Sequence, residues 1–227
     1  PIQWTADGWY RTKSTATSIK PDKQIKHGIE LSDDFNEANL GLQWTFWKEY
    51  VPKALTFDNG TLWMKAKGRT PADGRLLLTT AEDKNYETQV EINIGNGNTG
   101  GLVLFYNENA YAGVVSDGKK FIVYQNASKQ LELPNELGKR FIAKIHNQGN
   151  NLRIMVSKDS KEWITLAENV DVSQMHHNNY HGFYALRIGL LSAGKGRAGF
   201  KQFRYKNAVP QEKDMSAYLM VFHKDET

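Results

Sequence analysis

Glu87, Gln89 and Glu91 stand two residues apart in YETQVEI, a spacing that puts all three on one face of a β-strand. Two carboxylates on one face can run glycoside hydrolysis, one as nucleophile and the other as acid. The middle position is an amide, and positions i and i+4 on a strand lie roughly 13 Å apart. A retaining pair needs about 5–5.5 Å. The row therefore reads first as a solvated strand face, with Glu87 and Glu91 as the acid pair of an alternative, hydrolytic reading.

Other groups that could do chemistry are fewer. His176, His177 and His181 in MHHNNYHG, with Asp171 nearby, match no standard zinc spacing and read as a polar surface loop. Cysteine is absent, which removes thiol and disulfide chemistry, and no GxSxG elbow is present. Trp47, Tyr50, Tyr106, Tyr111 and Tyr184 carry rings that could stack on pyranose faces, although the same residue types fill the cores of β-sandwiches. SKDSKEW, from Ser157 to Trp163, is similar to an Asp-box turn with Lys161 where glycine is expected; it reads as a hairpin with Trp163 beneath it.

The elements that would position these groups are strands. From Tyr86 to Ile94 apolar and polar residues alternate, and Gly101 to Tyr106 is almost wholly apolar, as in a strand covered on both faces. Gly95-Asn96-Gly97-Asn98 and Asn107-Glu108-Asn109 supply turns, so Tyr86–Val115 reads as a three-stranded meander in the middle of one large sheet. Asp58-Asn59-Gly60 and Asp117-Gly118 mark hairpins, and Phe141, Ala143 and Ile145, then Leu152, Ile154 and Val156, form apolar faces. No amphipathic helix precedes residue 210. About a dozen short strands exceed an immunoglobulin-type domain and predict an all-β, antiparallel two-sheet jelly-roll sandwich.

At 227 residues the chain can bury one sizeable core. Its net charge of +4 arises from 29 basic and 25 acidic residues that are interspersed, unlike the concentrated basic face of a nucleic-acid binder. No run of about 18 apolar residues would span a membrane, and no signal peptide opens the chain. Neither nucleic acid nor membrane is expected as a partner. Three regions are expected. Residues 1–29 form an irregular leader anchored by Trp4, Trp9 and Tyr10, residues 30–209 the sandwich, and residues 210–227 a linker and first strand of a further module.

The order LSDDF, QWTFWKEY, LWMKAKG, YETQVEI, GGLVLFYNENAYAGV, SKDSKEW, ALRIGLLSAGKG and GFKQFRY resembles one family across residues 30–206. It is similar to the C-terminal concanavalin-like sandwich of glycoside hydrolase family 43, the β-xylosidases and α-L-arabinofuranosidases. The leader resembles the exit from a catalytic propeller, and SAYLMVFHKDET the first strand of another. The resemblance implies a non-catalytic accessory domain of an enzyme degrading plant polysaccharide, with the propeller of the same polypeptide as partner. Xylo- or arabino-oligosaccharide is a further partner it allows, and a secreted or periplasmic parent protein is expected. A loop reaching toward the propeller would fall within Arg69–Thr80, which carries no aromatic residue. No cofactor is required. A structural calcium is common in related sandwiches, and Asp33 and Asp34 could supply one side of it, although Gln202 stands where an acidic residue is usual. An independent carbohydrate-binding module remains the alternative to the accessory reading.

Overall fold

The computed structural model describes residues 2–12 and 29–208. Ile2–Trp4 (β1) and Tyr10–Thr12 (β2) pair as a small hairpin, on which Trp4 and Trp9 are 75% and 71% exposed. Residues 13–28 and 209–227, with most of the expected leader and the expected downstream strand, lie outside the described residues.

The remaining strands are Thr45–Phe46 (β3), Leu55–Asp58 (β4), Thr61–Lys65 (β5), Arg75–Thr80 (β6), Asn85–Ile94 (β7), Asn98–Asn107 (β8) and Ala110–Ser116 (β9). They continue with Lys120–Gln125 (β10), Ser128–Pro134 (β11), Arg140–Gln148 (β12), Asn151–Ser157 (β13), Trp163–Asp171 (β14), Arg187–Gly194 (β15) and Arg197–Asn207 (β16). They build two antiparallel seven-stranded sheets, in the orders β11-β10-β9-β8-β15-β6-β3 and β14-β13-β12-β7-β16-β5-β4. The expected two-sheet sandwich is observed. Its helical content among the described residues is one α-turn at His177–Tyr180 (α1) and a 3₁₀ turn at Pro52–Ala54. No helix there is long and apolar enough to cross a membrane.

The local signals explain several elements directly. Asn59 and Gly60 both have positive φ (49° and 66°), the backbone that a tight β4–β5 hairpin needs. The expected meander needs correction. β8 and β9 do pair, but β7 pairs with β12 and β16 in the other sheet. The Gly95–Gly97 turn thus carries the chain from one sheet to the other. The reason is burial: β7 alternates half-buried and buried residues, whereas almost every residue of β8 is buried. A strand with one wet face and a strand with two dry faces belong in different layers.

Leu102, Leu104, Ala112, Val114 and Leu190 of one sheet pack against Val90, Ile92, Phe141, Ile154 and Phe200 of the other to form the main core. A second core lies on the far side of the β8 sheet. Val103, Phe105, Tyr111, Leu76, Leu78 and Leu191 are all buried there, with Ala72 and Trp47 packed against them. Residues 66–74 provide part of the cover. They are tied down by backbone bonds from Ala66 to Gly196, from Lys67 to Ser192 and from Gly194 to Gly68. The Asp73 carboxylate accepts from the Arg69 and Thr70 N–H groups and from the Thr70 hydroxyl. The stretch Arg69–Thr80 is therefore a six-residue turn folded onto its own sheet, followed by strand β6. It is not a long projecting loop.

Candidate functional site

Three of the five candidate sugar-stacking residues, Trp47, Tyr106 and Tyr184, meet at one corner of the β8 sheet. The chain gathers them because β8, β15, β6 and β3 are neighbours in that order. Trp47 follows β3 and turns its ring edge toward Phe105 (5.1 Å between centroids) and Tyr184 (5.1 Å). Tyr184 also meets Tyr106 at 5.7 Å, and Tyr50 meets Phe46 at 5.5 Å. Tyr111 joins from further in, stacked with Phe105 at 6.2 Å. The segment bearing Tyr184 is held by the end of β8: the Tyr106 hydroxyl donates to the carbonyls of His181 and Gly182, and the Asn107 amide to that of Tyr180. Gly182 has φ +72°, and a Cβ there would come within 2.5 Å of the Tyr184 ring. Glycine is what lets that ring lie close.

The five residues do not play one role. Tyr106 and Tyr111 are buried, so neither offers a ring face to a ligand. Burial pushes the Tyr111 phenol up to about 12, with Tyr124 adding to the rise and a hydrogen bond with Thr70 opposing it. Trp47 is half-buried, whereas Tyr50 (81%) and Tyr184 (48%) are exposed. Phe183, 91% exposed and stacked on His177 at 5.2 Å, extends the same surface.

Charge surrounds Trp47. Its indole N–H donates to Glu108 Oε1 (3.0 Å), and Lys48 pairs with the same carboxylate. Burial pushes the Glu108 carboxyl up, but the Lys48 hydrogen bond and charge outweigh that and hold it below the usual range. The Arg187 guanidinium lies over the Trp47 ring, 5.1 Å from its centroid. Its Nε and Nη2 are buried without a hydrogen-bond partner, and burial lowers its pKa. Arg187, Glu108 and Phe183 were not singled out from sequence. Only Arg187 carried a signal, a cation opening the apolar run ALRIGLL. The corner offers apolar contact and oriented charge, but no acid–base pair and no nucleophile.

The other candidates fall elsewhere. Glu87, Gln89 and Glu91 line the outer face of β7, as the alternation required. Lys144 (3.1 Å) and Lys206 (3.3 Å) bind the Glu87 carboxylate, and Arg140 binds that of Glu91 (2.7 Å). Burial pushes Glu87 up, yet its hydrogen bond and charge pairing with Lys144, then Lys206, prevail and hold it below the usual range. A carboxyl kept ionised is a poor general acid. Among the described residues no three His, Asp or Glu side chains gather as a metal site; His176 instead caps α1, accepting from the Asn178 N–H. Trp163 donates to the Ser160 carbonyl in the β13–β14 hairpin, with Lys144 over its ring at 4.1 Å.

Asp33 and Asp34 are engaged by protein donors. Asp33 accepts from the Phe35 N–H, the Gln43 amide and the Trp44 indole, and Asp34 faces the Arg204 guanidinium. These donors occupy three lone-pair directions of Asp33 and one of Asp34. Asp33 fastens the first core aromatics, where its backbone bridges Phe203.

Residues 32–206 match the family described as the β-xylosidase C-terminal concanavalin A-like domain. The chain belongs to that family. No curated protein sequence gives a significant match. Among solved structures, the sandwich is similar to the GH43 protein BlXynB of Bacillus licheniformis, at TM-score 0.73 and 19% identity over 92% of this chain. It is also similar to the GH43B protein of a Bacteroides ovatus xyloglucan utilisation locus (0.71, 16%, 92%). A third is a xylan β-1,4-xylosidase of Bacillus halodurans (0.70, 17%, 91%). In each case the GH43 C-terminal domain aligned here spans 46% of the other chain, and identities this low speak to fold alone.

Proposed function

We propose that this GH43 C-terminal domain supports the catalytic propeller of a glycosidase acting on plant hemicellulose or arabinan. Its aromatic corner is the face that meets the propeller. The observation that carries this reading is the exposure of Phe183 and Tyr184 beside a half-buried Trp47 and an unsatisfied Arg187. A soluble domain gains nothing from such a surface unless something covers it. The coverage of about half of each GH43 relative supports a module that works beside another. With no acid–base pair in the corner, chemistry falls to the propeller.

The test uses the polypeptide that joins this domain to its propeller. Phe183→Ser with Tyr184→Ser removes the exposed rings while leaving the buried core residues in place. We expect a lower melting temperature for the propeller and weaker release of 4-nitrophenol from the xyloside or arabinofuranoside. Unchanged melting and turnover would remove the docking role. This domain alone is expected to release no 4-nitrophenol, and measurable release would overturn the accessory reading.

A further inference from the structure

Beyond the corner, at the far edge of the β7 sheet, an open pocket of about 460 Å³ lies between β4, β5, β16 and the Gly95–Gly97 turn. That volume is within the roughly 300–1,000 Å³ of small-ligand sites. Lys53, Lys65 and Arg197 line it together with Trp63, Thr56 and Asn96, and no acidic residue does. The Arg197 guanidinium stacks over the Trp63 ring, 4.3 Å from its centroid. Trp63 in turn is paired with Gly199, where a Cβ would come within 2.9 Å of the ring. The indole is thus laid on bare backbone, and the guanidinium is laid on the indole.

Several neighbouring cations of this sheet are paired: Arg140 with Glu91, Lys144 and Lys206 with Glu87, Arg153 with Glu168 and Arg204 with Asp34. Among the described residues no carboxylate lies within ion-pair distance of Lys53, Lys65 or Arg197. Three unpaired cations thus converge on one pocket, with one of them lying over an aromatic ring.

We infer that this pocket binds an acidic sugar, a uronosyl unit of a polysaccharide, through its carboxylate. A planar guanidinium whose face is occupied leaves its N–H edge to take a carboxylate in a two-point bond. Lys53 and Lys65 add point charge, Thr56 lines the pocket with a hydroxyl, and the indole supplies an apolar wall. The net charge of +4 is too dispersed for a polyanion track, and the pocket is limited to one or two sugar rings. The inference rests on the glycosidase reading for the source of the ligand, and the site is separate from the aromatic corner.

Calorimetric titration of the whole chain with trigalacturonate, with a glucuronic acid-bearing xylo-oligosaccharide and with neutral xylotriose tests it. We expect heat from at least one acidic ligand and none from xylotriose. Arg197→Gln should weaken binding about tenfold or more, as loss of a charge-assisted bidentate bond implies. Lys53→Ala, at an exposed position on the 3₁₀ turn, should weaken it by less and keep the test open if the first variant folds poorly. Equal binding of xylotriose, indifference to both variants, or equal binding of a single-stranded oligonucleotide would each overturn the inference. Silence toward acidic sugars, with the Phe183/Tyr184 variant still disturbing the propeller, would overturn it while leaving the docking role intact. Failure of both experiments would overturn the glycosidase reading as well.

Discussion

On the outer side of the β8 sheet, Val103, Phe105 and Tyr111 are buried beneath residues that the chain folds back over them. On the outer side of the β7 sheet, Glu87, Glu91 and Glu168 sit in open ion pairs with Lys144, Arg140 and Arg153. One sheet is stabilised from both sides by exclusion of water, while the other is wet on one side and ordered there by charge. The dry side ends in an aromatic rim that stays uncovered, and the wet side ends in a pocket of unpaired cations. Where each mode of stabilisation stops, the molecule keeps a surface suited to a partner of the corresponding chemistry.

The contrast can be broken by substitution. The largest effect is expected for Phe105→Ala, which removes a fully buried ring from the second core and should cost about 3–5 kcal/mol in denaturant unfolding. A loss below about 1 kcal/mol would mean that the far side of the β8 sheet is not a true core. Glu87→Gln should cost on the order of 1 kcal/mol at pH 7, since it strands two cations on a partly exposed face. Its pKa is depressed in the folded state, so its contribution is present above the unfolded value of about 4.3 and fades as pH falls through the folded value. Wild type and Glu87→Gln should therefore converge in stability once the pH has fallen below the folded value, and a gap that persists in the acid limit would place the effect in packing. Arg153→Ala breaks an exposed pair and should change stability by less than about 0.5 kcal/mol, a difference that 1 M salt erases.

Much of this was legible in the residues. The alternation in Tyr86–Ile94 and the unbroken apolar run in β8 state how many faces of each strand are dry, and both hold in the fold. What they do not state is which strands are neighbours. Gly95-Asn96-Gly97 permits a hairpin and a sheet crossing equally, because glycine and asparagine relieve only the local backbone cost. The corner shows the same limit. Trp47, Tyr106 and Tyr184 are each recognisable as aromatics that could stack, but their convergence depends on β15 lying between β8 and β6. Trp63 and Arg197 escaped notice because their stacking follows from the pairing of β16 with β5 across more than a hundred residues of sequence.

That pairing order carries one more consequence. The last two strands of the sandwich in chain order, β15 and β16, occupy interior positions: β15 lies between β8 and β6, and β16 between β7 and β5. Until they arrive, β5 with β4 and β6 with β3 have no bridge to the rest of either sheet. The domain is thus closed last from within, like an arch set by its keystone, and local hairpins can form long before the whole does. A chain cut before Arg197 would lose the middle of a layer, not a fringe.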